Sequence, residues 1–399
     1  MALIKLVSIS SLLVCMIQGI YALQVFDVTK YGAKADGKTD NANAFLNAWG
    51  AACEIGSAGK VLVPKGAYYL GPVSFRGPCA NNGSPTMEIQ GTIVAPEDLN
   101  QIKTVGWIEF RSLNGLAVNG GGTLDGKGTE AWKKTTCPGS KSCKNLPITL
   151  RLIKLSNASI TGITLVDSKG FHMAIHMSDH VKAAGLKIIA PQNSPNTDGC
   201  HVSGSTFVDI SNLFVSTGDD CISVGPGTYN STISGVTCSP GHGISIGSLG
   251  KYPKEKDVLG IKVSNCTIEN SQNGVRVKTW AGHQTTVAKD LSFENIIVKN
   301  VSNPIIIDQG YCGSKNCPNS PSGVQISNVV FKNIIGNSSE VEAVNLICSP
   351  TKPCKNVHLE DIHLDFVKNG IKSGISSVCA NIMESVTGNK KPSVCQKSL

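Results

Sequence analysis

SITGITL (159–165), AAGLKI (183–188), DISNLFV (209–215), TISGVTC (232–238), KVSNCTI (262–268), SFENIIV (292–298), QISNVVF (325–331) and HLEDIHL (358–364) recur along the chain, each turning on a central Gly, Asn or Asp. The pivots are Gly162, Gly185, Asn212, Gly235, Asn265, Asn295, Asn328 and Asp361, and the gaps between them are 23, 27, 23, 30, 30, 33 and 33 residues. Within each stretch apolar and polar residues alternate, and the pivot breaks the alternation as a bend between two short strands does. A period of about 20–50 residues marks a solenoid or a propeller. Helical repeats need an i, i+3, i+4, i+7 apolar face that no unit offers, and propeller blades need about 40 residues and four strands each. Units of roughly 22–33 residues therefore predict an all-β, right-handed parallel β-helix, its coils stacked about 4.8 Å apart. A two-sheet sandwich is the competitor, and it leaves the regular pivot spacing unexplained.

The rest of the chain fits one such solenoid. It has 399 residues and 42 glycines, where an average composition would supply about 28. Hydrophobic residues make up 41% of the chain, too many for disorder, and no collagen-like period is present. A solenoid needs closed ends, because an open one exposes unpaired strand edges. DNANAFLNAWGAA (40–52) predicts a capping helix, with Asp40 as N-cap and Phe45, Ala48, Trp49 and Ala52 on one apolar face. The cysteine-bearing tail after residue 370 closes the other end.

Residues 1–22, MALIKLVSISSLLVCMIQGIYA, combine an early Lys5, an apolar run too short to span a bilayer and a small residue at Ala22. They predict a secretory signal peptide, leaving 23–399 as one domain. Cys15 departs with it, and the remaining cysteines of the 15 form an even set, which argues for disulfides made in the secretory pathway. Cys312 with Cys317, Cys348 with Cys354, and Cys379 with Cys395 have the spacing of local pairs. Sequons at Asn82, Asn157, Asn230, Asn265, Asn300 and Asn337 offer glycan sites on an extracellular chain. The formal charge of +8 comes without a basic helix or an aromatic-interleaved array. It points to an acidic polymer outside the cell, with no nucleic acid, no membrane and a monomeric chain.

Coil spacing also gathers a site. The interval from Asp198 to Asp220 is repeated from Asp220 to His242, so the three fall in one column on successive coils. Each lies in a glycine-bearing turn, NTDGC (196–200), TGDDC (217–221) and PGHGIS (240–245), and Asp219 adds a third carboxylate. Arg276 and Lys278 lie at i and i+2 in GVRVKTW, on one face of a strand. Paired carboxylates are the machinery of glycoside hydrolysis, one protonating the leaving oxygen while another activates water or attacks. Crowding raises carboxyl pKa values, which keeps one group protonated. The cation pair fits a substrate bearing carboxylates. Adjacent strand residues face opposite sides, so Asp219 and Asp220 can share the cleft only across a bend or bulge. The proton chemistry needs no cofactor.

Beyond these residues the sequence resembles the plant polygalacturonases of glycoside hydrolase family 28. The resemblance rests on SPNTDG (194–199), TGDDCIS (217–223), SPGHGISIGS (239–248) and RVKTW (276–280), and extends to FDVTKYGAKADGKTD (26–40) and NPIIIDQGYC (303–312). It implies hydrolysis of α-1,4-galacturonan (homogalacturonan) with inversion, Asp219 as general acid, and Asp198 with Asp220 activating the water. By the same resemblance His242 supports the acid, Arg276, Lys278 and Tyr311 bind a substrate carboxylate together with Asn196 on the first turn, and Cys221 pairs with Cys238. Val277 stands where the family often has isoleucine. Gly218 before the aspartate pair and YPKEKD (252–257) resemble the exo-acting, pollen-type branch, and the loop WKKTTCPGSKSCKN (132–145), with Cys137 and Cys143, is a candidate wall for one end of the cleft. Endo action, a calcium-dependent lyase on a similar solenoid, and a weakly active wall-binding or allergen-like relative are the alternatives. The expected pH optimum is mildly acidic.

Overall fold

In a computed structural model, residues 23–135, 146–282, 284–312, 319–368, 371–393, 395 and 397–398 are described. Residues 1–22, read as a signal peptide, and Cys137, Cys143 and Cys317 lie outside them. Gly162, Gly185, Asn212, Gly235, Asn265 and Asn295 do occupy one column, each facing the next across paired coils. Their φ values are 67, 63, 55, 62, 55 and 56°, the left-handed region that Gly, Asn and Asp tolerate best. The pivots are therefore conformational necessities.

The seventh pivot is different. Glu294 faces Lys332, so Asn295 is followed in its column by Asn333, whose Nδ2 donates to Asn295 Oδ1 at 2.9 Å. Asn328, read as that pivot from spacing, belongs to a parallel column and donates to Asp290 at 2.8 Å. Both columns are left-handed, Asn328 at φ 53° and Asn333 at φ 50°. The earlier bend thus presents the same residue type and the same alternation.

A coil contributes three strands, as in Asp179–Ala184, Lys187–Ile189 and Cys200–Ser203. Strand pairing is parallel throughout the long sheets of the right-handed β-helix; the short Ile371–Ser373 strand pairs antiparallel. Inward positions stack into apolar columns. Ile160, Ala183, Ile210, Ile233, Val263, Phe293, Phe331 and Leu359 follow one another in register and all are buried. Full burial of each large member contributes about 1.5–3 kcal/mol, and Phe293 and Phe331 stack with centroids 5.1 Å apart.

The N-terminal end is covered by α1 (Ala42–Cys53), whose Phe45, Ala48, Trp49 and Ala52 are buried as the pattern predicts. Its N-cap is Asn41, one position after the expected Asp40. Asn41 turns its side chain to the backbone of Lys34, Thr39 and Tyr69, while Asp40 accepts from the N–H groups of Ala42 and Gly71. A disulfide between Cys53 and Cys79, which spacing did not reveal, ties α1 to the first coils. At the other end Cys379–Cys395 holds the tail, beside Cys348–Cys354. Among the described residues, Cys200 and Cys266 are free and buried. Both occupy inward positions, where a thiol packs as a small apolar group, so the even count does not mean that every cysteine is paired.

Candidate active site

The site lies on the sheet formed by Cys200–Ser203, Ile222–Val224, Ile244–Leu249, Asn273–Trp280 and Asn303–Tyr311. Cys200, Ile222 and Ile244 pair in register and point into the core. Asp198, Asp220 and His242 each stand at i−2 from these positions, so an unbroken strand would bury them on the same side. Bends in the chain across residues 217–221 and at His242 turn them into the cleft instead. This is the break in strand geometry that a shared cleft requires.

Two glycines allow the bend. A Cβ on Gly218 would stand 2.1 Å from the Ser194 carbonyl oxygen, and one on Gly241 would stand 2.6 Å from Cys221 Sγ. Cys221 and Cys238 are joined, fastening the aspartate turn to the histidine turn. Asp219 is fixed from two directions: the His242 N–H donates to its carbonyl at 2.8 Å, and His242 Nδ1 lies 3.2 Å from its Oδ1.

Asp198 and Asp220 are both nearly enclosed, at 5% and 1% exposure, yet their surroundings differ. Ser223 Oγ donates to Asp198 Oδ2 at 2.7 Å, and behind Ser223 stands His201, its Nδ1 at 2.8 Å. Ser245 Oγ donates to Asp220 Oδ1 at 2.8 Å, and behind Ser245 stands Arg276, its Nε at 3.1 Å. Arg276 Nη2 also donates to Asp220 Oδ1 at 3.0 Å, and Lys278 Nζ donates to Oδ2 at 2.6 Å. Burial, then the negative charges of Asp219 and Asp220, hold the Asp198 carboxyl well above its ordinary range. Burial would also raise Asp220, but Lys278 and Arg276 outweigh it and pull that carboxyl down. Burial holds His201 down to about 4, so a neutral imidazole backs Asp198 while a cation backs Asp220.

Crowding predicts that one carboxyl stays protonated. The one pushed upward is Asp198, and the reason is its burial without a cation of its own. Arg276 and Lys278 share one strand face as read from sequence, and both reach Asp220. Tyr311 covers them, its ring 5.8 Å from the guanidinium carbon and 5.2 Å from the ammonium. Asn196 is exposed in the preceding turn at φ 52°, not among the enclosed groups. Of the sequon asparagines, Asn82, Asn157, Asn230, Asn265 and Asn300 are exposed and Asn337 is half-buried.

Sequence reasoning passes over His201, Ser223 and Ser245. They repeat the interval that marks the acidic column, and they pair in register with Arg276. Serine simply carries too little chemistry to attract attention alone. Asp219, Asp220 and His242 offer atoms within 4.8 Å of one another, a group that could hold a metal ion among the described residues. Two side-chain cations already occupy Asp220, so a third positive charge fits this donor set poorly.

Enclosed carboxylates and cations on a parallel β-helix cleft define a polysaccharide-cleaving solenoid. The chain belongs to the glycosyl hydrolases family 28, whose model matches residues 53–388. It is 45% identical over 372 residues to a polygalacturonase of Gossypium hirsutum, covering 93% of this chain and 90% of that protein. To an exopolygalacturonase of Zea mays it is 43% identical over 375 residues, covering 93% and 90%. Its fold is similar to the crystal structure of an endo-xylogalacturonan hydrolase from Aspergillus tubingensis, at TM-score 0.79 and 24% identity over 92% of this chain and 99% of that one.

Proposed function

We propose that the protein is a polygalacturonase, hydrolysing α-1,4-galacturonosyl linkages of de-esterified pectin with inversion. The observation that carries this reading is Asp220, ionised between Arg276 and Lys278 and set beside the neutral-leaning Asp198. Water held between them loses its proton to Asp220 as its oxygen attacks the anomeric carbon, while the Asp198 carboxyl orients that water and limits the charge in the pair. Asp219 faces the cleft with its side chain 21% exposed; it takes up a proton from solvent and gives it to the leaving oxygen as the glycosidic bond breaks. His242 holds Asp219 in place. Arg276 and Lys278 take up the carboxylate of the sugar on the leaving side, with Tyr311 as its lid. No cofactor enters these steps.

We further propose exo action from the non-reducing end, by one catalytic domain that is secreted and works on the cell wall as a monomer. Relatives named exopolygalacturonase, at 42–43% identity, support exo action. The four closed disulfides among the described residues support a secreted enzyme. No described helix is long and apolar enough to cross a membrane. Time-resolved product analysis on polygalacturonate is the test. Monogalacturonate alone at early times is expected, with the opposite anomeric configuration to the substrate. Mixed oligomers would give endo action, and an unsaturated product absorbing in the ultraviolet would give a lyase.

A further inference from the structure

Gly250 and Lys251, just before the segment YPKEKD (252–257), and the end of the strand Asn273–Trp280 border a hollow of about 410 Å³, lined also by Ala281, Gly282, Gln284 and Ser320. Its size falls within the range of small-molecule sites. The catalytic reading leaves it unused.

The loop carrying Lys251 is built rather than slack. The Glu255 carboxylate accepts from the N–H groups of Gly250, Lys251 and Tyr252 at 2.6, 3.1 and 2.9 Å. Those bonds tie Glu255 to the backbone, and no carboxylate pairs with the Lys251 ammonium among the described residues. The ammonium instead lies 4.8 Å from the Trp280 ring and 5.3 Å from that of Tyr252. Asp257 anchors the far end of the segment, accepting from Val287 N–H at 2.8 Å and Thr286 Oγ1 at 3.1 Å.

The hollow continues the line of the cleft. Arg276, Lys278 and Trp280 follow at i, i+2 and i+4, and about 3.3 Å per residue carries Trp280 roughly 13 Å past Arg276. Trp280 meets Tyr311 edge-on, with centroids 5.4 Å apart, so the aromatic covering of the two cations runs unbroken into the hollow. Register shifts at Ile246/Leu249 and Lys278/Trp280 interrupt the ladder beside it.

We infer that this hollow is a further subsite for an acidic sugar, the galacturonosyl residue one place beyond that held by Arg276 and Lys278. This rests on the polygalacturonase reading. The Lys251 ammonium takes the carboxylate, and Trp280 offers an apolar face to the C–H groups of the sugar ring. A cation with no carboxylate partner and no lining carboxylate among the described residues selects an acidic residue over a neutral one.

The test compares kcat/KM on digalacturonate and trigalacturonate for the wild type, Lys251→Met and Lys251→Arg. Lys251 is exposed, so these substitutions leave the fold intact, which thermal melting checks. The wild type should favour the trimer by about tenfold, as one charge-assisted contact allows. Lys251→Met should bring the ratio close to one, mainly through KM, and Lys251→Arg should keep most of it. Added salt should shrink the wild-type ratio and leave that of Lys251→Met unchanged. An equal ratio in the wild type and Lys251→Met overturns the subsite. A wild type inactive on both oligomers and on polygalacturonate overturns the polygalacturonase reading, and the subsite with it.

Discussion

Lys278 Nζ stands 2.6 Å from Asp220 Oδ2, with the two side chains only 7% and 2% exposed. Burial would lower the Lys278 pKa, yet Asp220 turns the net shift upward, and Asp220 is shifted down in return. The lowered carboxyl stabilises the fold above its unfolded pKa near 3.8, and that contribution is lost as pH falls through its folded value. The raised ammonium stabilises below its unfolded pKa near 10.5, and its contribution is lost as pH rises through the folded value. Lys278→Met leaves Asp220 with one cation and should lower stability by about 3 kcal/mol at neutral pH. Urea titrations at neutral and acid pH check this, and the deficit should shrink once Asp220 is protonated.

Asp198 has the opposite sign. Its raised pKa means the folded state holds a proton that the unfolded chain releases, so stability falls as pH rises from the ordinary carboxyl value of 3.8 towards the folded one. Asp198→Asn copies the protonated form and removes that fall. The variant should melt at or above the wild-type temperature at neutral pH, by on the order of 1 kcal/mol, while losing most of its activity. A variant that melts lower at every pH would refute the protonated reading.

Asp219→Asn should fold normally, because the side chain is partly exposed and the backbone bond from His242 remains. Loss of a general acid predicts a fall of about 10²–10⁴-fold in kcat. Reducing-sugar release measures it, and near-wild-type turnover would place the acid elsewhere.

The left-handed pivots make a stability prediction. Asn212→Val forces a β-branched residue to φ 55° and should cost about 1–2 kcal/mol or more, whereas Asn212→Gly should cost well under about 1 kcal/mol. Parallel denaturation curves separate the two.

Much of this is legible in the sequence because a solenoid writes its periodicity into the chain. The left-handed pivots of this column are all Gly, Asn or Asp, the types that favour that region, and positions one coil apart become neighbours, so Asp198, Asp220 and His242 can be grouped from sequence alone. Asn328 misleads because a second bend in the same coil is also left-handed and carries asparagine there, although its column elsewhere holds His180 and Phe207 at φ 51°. That Arg276 and Lys278 hold an enzyme carboxylate before any substrate carboxylate is not legible, since Asp220 is distant from both in sequence and lies across a bend. The unequal protonation of Asp198 and Asp220 is hidden for a related reason: it depends on whether a cation or a neutral histidine stands behind each bridging serine.

The coils at the acids are short, with His201 and Ser223 facing each other at a sequence separation of 22, whereas Asn295 and Asn333 meet at a separation of 38. Pairing between stacked strands absorbs this difference, since both pairs still face each other across neighbouring coils. The architecture thereby separates two kinds of change. Lengthening a bend remodels the rim and whatever sugar it meets, while the spacing of the acids is set by the distance between strands. A chain of this design can acquire new substrate preferences by growing its loops, without re-solving the geometry of bond cleavage each time.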